Sequence, residues 1–122
     1  SFMVIKKGAS ENGPMEIDYS EDEKIIIKLS KEDWDTYVKI KSRKTVAGML
    51  HSSIVMPVLA DAIRLVQDGN AELQSAHWFN RIDVILRQQQ LSDEEALIAA
   101  QKILKNPLER GLASIADGGQ DE

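Results

Sequence analysis

Few residues in this chain have the chemistry to act as ligand, base or nucleophile, and their spacing limits what they can do. His51 and His77 are its two histidines, and it has no cysteine. Their flanks, LHSS and AHWF, lack the paired ligand spacing of a zinc helix. A metal site would need both rings to meet through tertiary folding, joined by a carboxylate such as Asp61. The plainer reading puts His51 at a helix joint and His77 at the edge of the core. His51, Ser52, Ser53 and Asp61 are also the residue types of a hydrolytic triad. Adjacent side chains on a helix point about 100° apart, however, and no glycine-flanked turn presents either serine as a nucleophile. We therefore expect no catalytic residue, no metal and no cofactor. An enzyme or small-ligand protein would require a pocket near His51 and Asp61.

The basic residues are concentrated. Lys39, Lys41, Arg43 and Lys44 fall within six positions, and residues 36–64 carry five basic side chains against Asp61 alone, in a chain of net charge -5. The cluster reads first as a solvated joint that balances the acids at 32, 33 and 35. The alternative is a nucleic-acid-associated protein, in which a dimer sets two copies of Lys39, Lys41, Arg43 and Lys44 side by side against phosphates. Gly48 stands alone, and no phosphate loop or dinucleotide fingerprint is present.

The cluster lies at the entrance to the longest apolar tract, Val46 to Val66. This tract has the length to span a bilayer, but His51, Asp61 and Arg64 would each be costly in lipid, so a buried helix and no membrane association are expected. Asp61 and Arg64, at i and i+3, are placed to pair with each other. Because the tract is apolar around most of its circumference, it wants cover on all sides. A chain of 122 residues has little else to cover it with. A homodimer is expected, with an interface built from Val46, Met49, Leu50, Ile54, Met56, Leu59 and Ile63, joined by Trp78 and Ile82. Another protein or an upstream domain is the other candidate lid.

The remaining elements must position these groups. Hydrophobic residues are 43% and charged residues 29%, the profile of one globular domain, and aromatics at 5% favour helical packing. Phe2 to Lys6, Met15 to Tyr19 and Lys24 to Leu29 read as short strands, with Ile26 breaking the alternation of the third. Ser30 starts a helix whose inner face is Trp34, Tyr37, Val38 and the stem of Lys41. Pro57 suggests a kink in the long tract, which reads equally as one helix or as two at an angle. Asn70 opens a helix over 71–89, Ser92 to Glu95 fits a capping box for the next, and Pro107 starts a last one with Leu108, Leu112 and Ile115 on one side. The expected fold is α+β: an N-terminal three-stranded antiparallel meander followed by a bundle of four to six helices. It forms one domain over 1–122, with an acidic frayed tail at 117–122. Ser1 in place of Met suggests a piece of a longer bacterial or phage protein, and the lack of cysteine and of a signal segment points to the cytoplasm. The expected function is protein–protein interaction or homo-oligomerisation without catalysis.

Overall fold

A computed structural model describes residues 1–118. The fold is α+β. The strands are β1 (Met3–Lys7), β2 (Glu16–Asp18) and β3 (Ile25–Leu29). The helices are α1 (Lys31–Ile40), α2 (Lys44–Leu50), a π turn (His51–Val55), α3 (Met56–Gln67), α4 (His77–Gln88), α5 (Ala96–Ile103) and α6 (Pro107–Asp117). Asp117 closes α6; the rest of the expected tail, beyond Gly118, lies outside the described residues.

The sheet corrects the expected meander. Its order is β1-β3-β2, with β1 parallel to β3 and only β2 antiparallel to it. The reason lies in β3, where Ile25, Ile26 and Ile27 are all buried. A strand apolar on consecutive positions needs cover on both faces and neighbours on both edges, so it takes the centre. The loop after β1 carries the chain across the end of β3: the amide of Gly8 donates to the Leu29 carbonyl at 2.7 Å, and those of Lys31 and Glu32 donate to the carbonyls of Ser10 and Glu11. A Cβ on Gly8 would stand 2.9 Å from the Leu29 carbonyl oxygen, so this crossing has room only for glycine.

The core joins Ile25, Ile27 and Leu29 of the sheet to Val58, Leu59, Ala62 and Ile63 of α3, with Trp78, Ile82 and Leu86 of α4 and Ala96, Ala99 and Ala100 of α5. The three alanines let α5 approach α3 closely. They, not Leu97, face inward; Leu97 is exposed. On α1, Ser30 accepts from the Asp33 amide as expected, while Val38 turns to solvent and Trp34 and Tyr37 stay half-buried.

The long tract takes the single-helix form, and two other helix boundaries depart from expectation. Pro57 does not break the long tract: α2, the π turn and α3 run on as one helix, Lys44–Gln67. Pro57 lacks an N–H for the carbonyl of Ser53, and the helix absorbs this by widening, so that the Met56 amide bonds His51 O five residues back. This helix is long and apolar enough to cross a membrane by composition alone, but its α3 half is a core helix with Val58, Leu59, Ala62 and Ile63 sealed inside the chain. Helix α4 starts at His77 because Asp22, from the distant β2–β3 loop, accepts from the His77 amide with its carboxylate and from the Trp78 amide with its carbonyl. Asn70 caps only a turn. The expected capping box at 92–95 is absent: Gln67 instead binds the carbonyls of Ser92 and Glu94, and α5 begins at Ala96.

Candidate functional site

A concave site lies between β1, the inward face of α1 and the π turn. Trp34, Tyr37 and Lys41 recur at i, i+3 and i+7 and so line one wall. The opposite wall is His51 and Val55 of the π turn, the floor is Ile5, Ile27 and Leu59, and Ile103 and Leu104 close the α5 end. The hollow encloses about 490 Å³ and continues into a smaller one of about 110 Å³ that shares Ile5, Tyr37, Lys41, His51 and Val55. The widened turn aims His51 and Val55 at the same cavity.

Its polar groups are few. The Lys41 ammonium sits 5.9 Å from the centre of the Tyr37 ring, a cation–π placement that holds it at the rim. Neither the Lys41 ammonium, the His51 ring nor the Tyr37 hydroxyl has a hydrogen-bond or ion-pair partner among the described residues, and the lining contains no carboxylate. The pocket required for a small-ligand reading is therefore present beside His51. Asp61 is elsewhere. Its carboxylate accepts from the Tyr19 hydroxyl at 2.5 Å and stands 4.0 Å from Arg64, so the expected Asp61–Arg64 pair forms with Tyr19 added. Burial, together with the Asp61 carboxylate, pushes the Tyr19 hydroxyl well above its ordinary value.

The two histidines do not share a site. The Nδ1 of His77 lies 2.6 Å from Glu23 and 2.7 Å from Asp22, an exposed cluster in which three ligand atoms come together. Hydrogen bonding to Glu23 and the charges of Asp22 and Glu23 raise its pKa above the ordinary 6.5. The same loop caps α4, so the cluster has a structural role and fastens the β2–β3 turn to the start of that helix. Nothing local in the sequence marks it, because both acids sit in a polar run of the kind an ordinary turn carries.

Lys39, Lys41, Arg43 and Lys44 are all exposed around the α1–α2 joint, and none is ion-paired among the described residues. The expected balance with the acids at 32, 33 and 35 does not form as direct pairs. The expected interface residues divide. Leu59, Ile63, Trp78 and Ile82 are buried in the chain's own core, because the sheet, α4 and α5 cover α3, so they are not offered to a partner. Val46, Met49, Leu50, Ile54 and Met56 are half-buried, with Ile54 and Met56 packed against the core.

A second apolar surface lies on α6. This helix packs on α2 and the π turn, with Pro107 and Gly111 buried against them. A Cβ on Gly48 would lie 2.6 Å from the Gly111 amide nitrogen, so the two backbones touch there. Leu108, Leu112 and Ile115 sit roughly a quarter turn round α6 from that contact, and they are 44%, 54% and 48% exposed. Comparison with protein-family models, curated proteins and solved structures gave no match, so the reading of function rests on this geometry.

Proposed function

We propose that this chain is an association module that works as a homodimer, without chemistry of its own, through the face built by α2 and α6. The supporting observation is the outward stripe Leu108, Leu112 and Ile115, spaced i, i+4 and i+7 on a helix that packs against α2 and the π turn. Such a stripe costs solubility unless something covers it. Met49 of α2 is half-buried next to it, with its sulfur close to Gly111.

The occupant is a second copy because the chain is self-complementary in charge. Residues 36–64 are strongly basic, while residues 65–122 carry ten acids against five basic side chains. A lipid surface fits poorly, since α6 offers Glu109 beside the stripe and its one cation, Arg110, is engaged by the carbonyls of Leu104 and Lys105. A stable dimer buries about 800 Å² per subunit, which is on the order of a tenth of the 7578 Å² surface.

The test is light scattering on the wild type and on Leu112→Glu. The wild type is expected at twice the chain mass and the variant at the chain mass, with circular dichroism unchanged because Leu112 is 54% exposed and lies outside the core cluster. A wild type at the chain mass, or a variant that stays dimeric, overturns the proposal.

A further inference from the structure

We infer that the hollow between β1, α1 and the π turn is a binding site for a small amphipathic anion, a carboxylate on a medium-length alkyl chain. Three observations converge. The volume, about 490 Å³, lies in the range of small-molecule sites. The lining is aliphatic and aromatic through Phe2, Ile5, Trp34, Val55, Leu59 and Leu104, so it takes a hydrocarbon body. Ser1 also lines the cavity, with its hydroxyl engaged by the Met3 backbone; the other polar side chains at the rim, Lys41, His51 and Tyr37, are hydrogen-bond donors or cations without partners among the described residues, and no acid lines the cavity beside them. That set recognises an oxyanion and rejects an amine. The π turn supplies an independent pointer, because local widening of a helix recurs where a side chain is aimed at a ligand, and here it places His51 and Val55 in the wall.

No residue of the α6 stripe lines the hollow, and the quenching experiment reads ligand binding rather than mass, so its failure and the failure of the dimer reading are distinguishable. The carboxylate sits between the Lys41 ammonium and the His51 and Tyr37 donors, and the chain runs over Trp34 toward Leu104. Burial of each methylene raises affinity by up to about fourfold.

Dodecanoate carrying bromine on its last carbon is the probe, used below its micelle concentration, with tryptophan fluorescence as the readout. Trp34 lines the cavity while Trp78 is sealed in the core. Saturable quenching is expected in the wild type and loss of most of that quenching in Trp34→Phe. The Lys41→Gln, His51→Gln double variant should weaken binding at least tenfold. Both of those residues are exposed, so folding is preserved, and circular dichroism checks it. Dodecylamine should bind more weakly than dodecanoate. No saturable quenching, quenching that persists in Trp34→Phe, or equal affinity in the double variant would each overturn the inference.

Discussion

Gly48→Ala gives the sharpest reading of how α6 is held. In an unconstrained helix interior this change stabilises by about 1 kcal/mol, because glycine loses more backbone freedom on folding. Here the new Cβ would meet the Gly111 amide nitrogen at 2.6 Å, its Cα at 2.7 Å and the Pro107 carbonyl oxygen at 3.1 Å. All three are backbone atoms, so no rotamer change relieves the clash. Restoring ordinary contact requires the helices to part by about 1 Å, which forfeits a quarter to a half of the dispersion attraction along the crossing. Overpacking of this kind costs roughly 1–3 kcal/mol, and after the propensity gain a net loss of about 1 kcal/mol remains. For a domain of this size that lowers Tm by about 3–6 °C. The assay is thermal unfolding at fixed protein concentration, with hydrogen exchange showing faster opening in α6 than in α3. A Tm that rises would refute the close crossing and with it the position of the Leu108, Leu112 and Ile115 stripe.

Other outcomes follow from single contacts. The His77 ring, held above its ordinary pKa by Glu23 and Asp22, contributes stability that is complete below pH 6.5 and fades as pH rises through the raised value; an NMR titration of its ring protons reads this, and Asp22→Asn with Glu23→Gln should return the midpoint toward the ordinary value. Tyr19→Phe removes the bond to Asp61 and should cost about 1 kcal/mol in urea unfolding, the low end for a charge-assisted bond because Asp61 is half-exposed; no change would show that water replaces the hydroxyl fully. Alkaline titration followed by ultraviolet absorbance should find Tyr19 ionising well above the ordinary tyrosine value, a late step that Tyr19→Phe removes. Ile27→Ala, which empties a fully buried position on the central strand, should lose about 2–5 kcal/mol.

What can be read from the sequence is local. The Ser30 cap, the Pro107 start of α6 and the helical spacing of Leu108, Leu112 and Ile115 depend on neighbours within one turn, and each appears as expected. The α+β order is also legible, from the change of period after Leu29. The parallel pairing of β1 with β3 is harder to read, although its signal is there in the run Ile25, Ile26 and Ile27, which a strand covered on one face would not carry. The start of α4 has no local signature, since Asp22 supplies the cap from a loop 55 residues away. The π turn is masked by Pro57, which more often breaks a helix than widens it. The cavity is illegible because its walls come from distant segments, and only the tertiary fold brings Trp34, His51 and Leu104 together. The apolar tract is half legible: its α3 half finds cover within the chain, which removes Leu59 and Ile63 from any interface, while the exposure passes to α6.

Sedimentation equilibrium of the wild-type chain over a wide concentration range tests the central claim most directly. The account predicts a mass of twice 13.6 kDa that falls toward the single-chain value only on dilution. A folded species that remains at 13.6 kDa at the highest concentrations would contradict it, because the stripe on α6 would then be tolerated in water with nothing to cover it.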